Sequence, residues 1–584
     1  MLVGDVGEHL ERMVAAAVRA ALDVEITPAE ALVRPSNPER GGDYQCNAAM
    51  SLAKRLGRPS REIGDAIAAA IDPAGVIEAP TVGGPGFVNL RLRTDWLGAQ
   101  LTGLAGDDRL GVPPAAKPER VVVDYSGPNV AKEMHVGHLR ATIIGDAIVR
   151  VKEFGGHEVI RRNHLGDWGT PFGMLIEHLV DEGWTAGDEN EHSISDLNGF
   201  YQKARKKFDA DTEFAERARR RVVALQGGDE PTLALWRMLV AESQRHFEMV
   251  YRALGVQLTA EDSYGESFYN PFLADTVAEL ERDGLVRLSD GALCAFPAGF
   301  AGREGEPAPI IVRKSDGGYT YGTTDLAATR YWTRDRDAAD LVYVIGAPQR
   351  QHLAMVFATS TDAGWLDDAH RAVHVSFGSV LGADGRMLRT RSGDSVKLIE
   401  LLDEAVERAA AVIAERSELD EGDRAGVARA VGIGAVKYAD LSSARDKDYV
   451  FVWDRMLAME GNTSVYLQYA NARIRSILRR AAAARVEAGD AIVVGEPAER
   501  VLAIALLRLP AAVAATDRGH APHTLCGYLY DVATAFSGFY ENCPILASTT
   551  SEQERASRLA LAALTSRVLL LGLGLLGIEA PEKL

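Results

Sequence analysis

Residues 121–138 read VVVDYSGPNVAKEMHVGH; LRATIIGDAIVRVKEFGG follows at 139–156 and EVIRRNHLGDWG at 158–169. Val121, Val122 and Val123 form a short unbroken apolar run, the pattern of a strand buried on both faces. Downstream, Leu139, Ile143, Ala147 and Val151 recur four apart, which places them on one face of a helix that Gly155-Gly156 would stop. EVIRRN then returns as a second strand. Strand, loop, helix, strand is a βαβ unit, the seed of a doubly wound parallel sheet. In such sheets ligands sit beyond the carboxyl ends of the strands, where a helix N-terminus offers free N–H groups and a partial positive charge to phosphate. The loop from Asp124 to His138 occupies that place. It carries Asn129, Lys132, His135 and His138, donors without a nucleophile, and Gly137, which would admit a flat ring or a phosphate close to the backbone.

Outside this loop the chain sets limits. A length of 584 residues exceeds one core and points to three or four domains. Hydrophobic and charged fractions of 47% and 25% are ordinary for a soluble protein. The start, MLVGDVGEHLERM, has no secretory pattern. The most apolar tail stretch, Val568–Ile578, is short for a bilayer. A cytoplasmic protein with no membrane contact is expected. Cys46, Cys294, Cys526 and Cys543 form no C-x-x-C pair, so neither a zinc site nor a disulfide framework is indicated. His135 and His138 have H-x-x-H spacing but no further ligand at a suitable distance, and no protein-bound metal is expected. The net charge of −18 argues weakly against nucleic acid, since binding depends on local basic patches. No Gly-Lys dipeptide and no G-x-G-x-x-G after a strand are present, which excludes the common P-loop and dinucleotide fingerprints.

Three units emerge. Residues 1–117 read as a small α/β domain. HLERMVAAAVRAAL is helical, and GGPGFVNLRL is a turn and strand with Phe87, Asn89 and Arg91 on one side and Val88, Leu90 and Leu92 on the other. The proline-bearing GVPPAAKPER, at 111–120, is the linker. Residues 118–395 hold the parallel-sheet domain, with strand signals returning at DLVYVIGAP and HVSFGSVLG. A polar helical insertion at about 175–270 has basic clusters around Lys203–Lys207 and Arg217–Arg221. Residues 396–584 are rich in Ala, Leu and Arg, the composition of an all-α bundle.

HVGH resembles the HIGH signature of class I aminoacyl-tRNA synthetases, and DYSGPNVAKEMHVGHLRATIIGDA resembles the arginyl-tRNA synthetases in particular. GDYQCNAAMSLAKRLG (42–57), GPGFVNLRL (84–92), NHLGDWGTPFG (163–173), YTYGTTDLAA (319–328), FGSVLGADGRMLRTRSG (377–393), SVYLQYANARIRSIL (464–478) and YLYDVATAFSGFYENCPIL (528–546) match the same family in order. The resemblance implies a Rossmann-like catalytic domain of the HxGH type. An N-terminal additional domain at the tRNA elbow and an α-helical anticodon-binding domain would flank it. Arginine would be activated with ATP to arginyl-adenylate and transferred to the 3′ end of tRNA(Arg), releasing pyrophosphate and AMP. Magnesium would arrive with ATP. The enzyme is expected as a monomer, and the insertion is too small and helical for an editing domain.

The resemblance also implies residue roles. His135, His138, Lys132 and Arg391 would be catalytic. Gly137, Gly378, Arg389 and Ser392 would join them around ATP. The second phosphate loop, GRMLRTRSG (385–393), departs from the class pattern in having no lysine; in the family a lysine before the HIGH segment substitutes, and Lys132 stands there. Asp124, Tyr321 and Asp325 would hold the guanidinium, Tyr321 and Asp325 being four apart on one helical face. Asn129 and Gln349 would hold the amino-acid backbone. Tyr466, Tyr469 and Arg473 would face tRNA, because aromatics beside arginines suit splayed bases. Two other readings stay open at this point: a nucleotidylyltransferase, which shares the HxGH loop, and a non-catalytic relative that binds arginine or tRNA.

Overall fold

The computed structural model describes residues 4–36, 41–185, 194, 196–302, 305–389, 395–416 and 421–584. At its centre four parallel strands lie in the order Arg371–His374, Asp340–Tyr343, Arg120–Asp124, Glu158–Arg162. Val121, Val122 and Val123 are fully buried, as a strand covered on both faces requires. The chain leaves the first strand for the neighbour on one side and later returns on the other. The topological switch therefore falls between Arg120–Asp124 and Asp340–Tyr343, whose last residues, Asp124 and Tyr343, are paired.

The lead helix, Val136–Phe154, follows the first strand. Leu139, Ile143, Ala147 and Val151 are buried as their spacing predicts, but so are Arg140, Thr142, Asp146 and Lys152. The sequence pattern shows one apolar face; in the fold the opposite face lies against the C-terminal helices, and charged partners there replace water. The helix caps at Gly155 in a right-handed conformation, and Gly156 at φ 88° makes the turn into the second strand.

Four helices, Thr170–Asp181, Leu197–Ala210, Thr212–Gln226 and Glu230–Leu254, build the insertion. Half of its basic clusters is paired with acids: Arg217 and Arg221 share Glu177 at 2.8 and 3.0 Å, Lys207 meets Asp181 at 3.2 Å, and Arg205 meets Asp209 at 2.9 Å, while Lys203, Lys206, Arg219 and Arg220 are exposed. Beyond it, Val286–Ser289, Ala292–Ala295 and Ile310–Arg313 form an antiparallel sheet absent from the sequence reading. Its strands have four residues each, too few for alternation to stand out.

The N-terminal unit is a four-stranded antiparallel sheet in the order Val33–Pro35, Tyr44–Cys46, Phe87–Leu90, Thr81–Gly83, packed with helices such as Val6–Leu22. Val88, Leu90 and Leu92 point into its core. Asn89, on the other side of the strand, is also buried and accepts from Gln45 Nε2 at 3.0 Å. Arg500 of the helical domain clasps buried Asp43 and the Leu92 carbonyl. Arg567 donates to the Ala105 and Asp107 carbonyls.

The C-terminal part is helical, from Leu398–Arg416 to Glu552–Leu575, with one short strand among its described residues, Tyr449–Val450, paired to Val380–Leu381. The apolar tail stretch belongs to a longer element than its own length suggested. Glu552–Leu575, with a mean hydropathy of 1.6 in its most apolar window, is long and apolar enough to cross a membrane; 72% of that window is buried inside the protein, where the helix serves as a core element. The four cysteines are buried and free.

Candidate active site

At the carboxyl end of the first strand the chain makes a strained loop. Ser126 and Ala131 take positive φ angles of 72° and 61°, costly for side chains with a Cβ. The insertion helix Glu230–Leu254 holds them: Ser243 Oγ accepts from the Ala131 N–H at 2.9 Å, and the Tyr251 hydroxyl meets Ser126 Oγ at 2.9 Å. A Cβ on Gly145 would lie 2.2 Å from Tyr125, so only glycine lets the lead helix approach this closely.

His135 is the N-cap of the lead helix. Its Nδ1 accepts from the Gly137 N–H at 3.0 Å, and His138 Nδ1 accepts from the His135 N–H at 3.1 Å. The two rings form a capping box with centroids 4.1 Å apart. An imidazole nitrogen that accepts an N–H carries no proton, so each ring is the Nε2–H tautomer. Burial, then Lys132, lowers the His135 pKa; burial, then His135, lowers that of His138 to about 4. Both rings are therefore neutral donors at neutral pH. Gly137 is needed for a reason other than ligand approach: a Cβ there would sit 2.7 Å from the His135 ring. Lys132 lies 4.5 Å over the ring of Tyr201, which holds its ammonium beside the histidines.

The second loop meets the first through the backbone. Val136 N–H bonds the Val396 carbonyl at 3.0 Å, Leu398 N–H bonds the Met134 carbonyl at 2.9 Å, and Lys397 pairs with Glu133 at 2.8 Å. Antiparallel bridges Leu381↔Met387 and Arg389↔Ser395 shape a hairpin between these anchors. Arg389 is exposed on it. Arg391 and Ser392 lie outside the described residues. Gly378, at the root of the hairpin, packs so tightly on Lys447 and Asp448 that a Cβ would meet them at 2.6–2.7 Å.

Across the switch point lies an acidic crevice. The helix Tyr321–Arg330 does put Tyr321 and Asp325 on one face. Tyr321 is 66% exposed, with its ring 4.8 Å from that of His352, whose Nε2 is 2.6 Å from Asp325 Oδ2. Asp124 is buried and 3.2 Å from Arg162, itself 1% exposed. Burial nevertheless pushes the Asp124 carboxyl up to about 6, against the pull of Arg162 and with Asp325 adding repulsion. Glu266 faces the same place: burial, then Asp167 and Asp325, raise it to about 7. Asn129 is exposed, bridged to Gly166, where a Cβ would meet its Oδ1 at 2.3 Å. Gln349 ends the short turn Ala347–Gln349 that follows the third strand. Asn129 and Gln349 thus flank the switch from two strand ends.

Sequence reasoning missed Glu266, His352, Arg162 and His164. Arg162 and His164 stand in the quoted second-strand segment; the pairing of Asp124 with Arg162 follows from the strand register, and His164 Nδ1 lies 2.8 Å from Arg162 Nη2. Glu266 has no local signal. It arrives because the chain returns from the insertion, with its N–H on the Leu165 carbonyl.

In the helical domain the RNA candidates separate. Tyr469 and Arg473 form one surface group with Tyr540: Arg473 Nη2 donates to the Tyr469 hydroxyl at 2.9 Å, and its guanidinium lies 5.2 Å from the Tyr540 ring. Tyr466 turns away, bonding Ser537 Oγ at 3.0 Å and packing on Tyr530.

Comparison with known proteins gives this geometry a context. Sequence profiles match over most of the chain: an arginyl tRNA synthetase N-terminal domain at 8–92, a class I (R) tRNA-synthetase catalytic domain at 101–453, and a DALR anticodon binding domain at 467–584. The arginine–tRNA ligase of Thermobifida fusca is 53% identical over 98% of this chain and 99% of its own. That of Frankia casuarinae is 50% identical over 97% of each. A crystal structure of arginyl-tRNA synthetase from Plasmodium falciparum superposes with a TM-score of 0.86 at 29% identity, covering both chains completely. The Thermus thermophilus arginyl-tRNA synthetase reaches 0.80 at 27% identity, covering 99% of this chain and 100% of that one. With a histidine-capped helix at the sheet's switch point, an acidic crevice beside it and full-length relatives of one activity, the chain belongs to the class I arginyl-tRNA synthetases, the arginine–tRNA ligases.

Proposed function

We propose the following division of labour for the ligation of arginine to tRNA. ATP lies with its phosphates over the start of the lead helix. His135 and His138 donate to them through Nε2–H, and Lys132, Arg389 and Arg391 supply the positive charge the neutral imidazoles lack, with Gly378 and Ser392 shaping the second loop. The guanidinium of arginine lies against Asp325 and Glu266, with Tyr321 along its plane; Asp124, already facing Arg162, closes the floor. Five fixed N–H donors facing these acceptors would be unmatched by a shorter or neutral side chain, which gives selection without editing. Asn129 and Gln349 hold the backbone end, so that the carboxylate points at the α-phosphate.

A carboxylate oxygen then forms a bond to that phosphorus while the bond to pyrophosphate breaks. A terminal ribose hydroxyl of tRNA next attacks the activated carbonyl, and AMP leaves. Neither step needs a protein nucleophile; positioning and charge stabilisation carry both. Magnesium enters with ATP, held by phosphate oxygens and water; among the described residues no three His, Cys, Asp or Glu side chains are grouped to ligate a metal. The N-terminal unit, 1–117, grips the tRNA elbow. The unit from 396 reads the anticodon through Tyr469 and Arg473, with Tyr466 supporting from behind. The enzyme works as a cytoplasmic monomer.

The observation that carries the reading is the histidine capping box, which fixes two Nε2–H donors beside the acidic crevice. Arginine-dependent exchange of labelled pyrophosphate into ATP, with and without tRNA(Arg), tests it. Exchange only with arginine supports the reading; exchange with another amino acid, or with none, overturns it.

A further inference from the structure

Arg140 has no part in the chemistry above, yet it is a large fully buried cation five residues after the N-cap histidine. Its Nε donates to Asp440 Oδ1 at 3.1 Å, and Nη1 donates to the Lys447 carbonyl at 2.8 Å. Its guanidinium carbon lies 5.4 Å from the Tyr449 ring and 5.9 Å from that of Phe377. Asp440 sits near the end of the helix Glu421–Leu441, so the contact joins the lead helix to the C-terminal domain. The segment that follows Asp440 is stitched to the root of the second phosphate loop. Gly378 N–H bonds the Arg445 carbonyl at 2.9 Å, Ser379 N–H bonds Asp448 Oδ1 at 2.5 Å, and Tyr449 pairs with Val380. Arg140 therefore stands where three things cross: the helix capped by the histidines, the strand that launches the arginine-rich loop, and the helical domain.

The cluster is not built for stability alone. Arg140 Nη2 is buried without a hydrogen-bond partner among the described residues, and the Tyr449 hydroxyl lies against the Asp440 carboxylate. Well-packed apolar side chains would fill such a place at least as stably.

We propose that Arg140 is a positioning residue for adenylate formation, which with Asp440 and Tyr449 sets the register of the two phosphate loops against each other and against the helical domain. The inference rests on the reading of both loops as ATP-phosphate elements.

The test is arginine-dependent pyrophosphate exchange with tRNA(Arg) present, together with thermal unfolding of each variant. Arg140→Met and Asp440→Asn each lower kcat about tenfold or more, leave the KM for arginine within about twofold, and combine less than additively. Arg140→Lys recovers part of the loss. Tyr449→Phe keeps its ring beside Arg140 and loses only the hydroxyl that faces Asp440; it stays folded and loses several-fold in kcat. Lys152→Gln is the control. It breaks another ion pair between the same helix and domain, to Asp517 at 3.0 Å, about 18 Å further along the helix, and lowers the melting temperature without changing kcat. Unchanged kcat in Arg140→Met and Tyr449→Phe overturns the proposal. So does a kcat loss in Lys152→Gln equal to that of Arg140→Met, which would make domain docking the cause. If Arg140→Met does not fold, Asp440→Asn and Tyr449→Phe decide. His138→Ala separates the two layers: normal exchange there removes the phosphate-loop reading itself, whereas lost exchange there with normal Arg140→Met and Tyr449→Phe refutes only this inference.

Discussion

Replacing His138 by alanine removes two things that can be measured apart. The first is structural. His138 Nδ1 is the acceptor for the His135 N–H at the start of the lead helix, and losing a cap of this kind costs about 1 kcal/mol of stability. The second is kinetic. The Nε2–H is a fixed donor, and by analogy with an oxyanion contact its loss raises the adenylation barrier by about 3–4 kcal/mol, two to three decades in rate. His138→Gln distinguishes them, because a glutamine at the third helical position can reach back to the same N–H. It is expected to restore the melting temperature while recovering only part of the rate. pH offers a further check. Burial holds His138 down at about 4, so between about pH 6.5 and 4 the unfolded chain takes up a proton that the folded one refuses. Its contribution to stability is complete above about 6.5 and is lost as pH falls towards 4, by up to about 3 kcal/mol. His138→Ala flattens that slope. Exchange kinetics in His138→Ala within about threefold of the parent, with only the cap-sized loss of stability, would reduce the histidine to a helix cap and refute the phosphate-donor role.

Asp325→Asn is expected to raise the KM for arginine by roughly two decades, the scale of a charged hydrogen bond lost, and to leave the KM for ATP within about threefold; equal shifts in both would contradict the pocket. Glu266, raised to about 7, ionises through neutral pH, so the KM for arginine should fall several-fold between about pH 6 and 8; Glu266→Gln should remove that dependence, and an identical profile in the variant would exclude the carboxyl. Arg500→Ala strands the buried Asp43 carboxylate at the junction of the N-terminal and helical units and should cost about 3 kcal/mol in thermal unfolding. Arg500→Met with Asp43→Asn should cost less than Arg500→Ala alone, and full additivity would argue against a coupled pair.

How much of this was legible depends on how far apart the contributing residues lie in the chain. The βαβ unit, the helix face of Leu139, Ile143, Ala147 and Val151, the histidine loop and the pairing of Tyr321 with Asp325 are all local. Their periods follow from strand and helix geometry within a dozen or so residues, and folding did not alter them. The basic clusters near Lys207 and Arg217 had been equally visible, yet acids on another helix pair with Lys207 and Arg217 themselves, which no run of sequence reveals. The antiparallel sheet from Val286 to Arg313 escaped because four-residue strands carry too little pattern.

By itself, the sequence determined where the histidine loop would stand and which residues it would offer, because backbone geometry links a strand, a turn and a helix over short spans. Only the tertiary structure decided what those residues face. Asp124 meets Arg162 across a strand pair, Glu266 joins Asp325 by a return from the insertion, and Arg140 reaches Asp440 three hundred positions away. Electrostatic partners are set by distance in space, and in a doubly wound fold the chain's path, with its long crossovers, brings the decisive charges together from places that local spacing cannot connect.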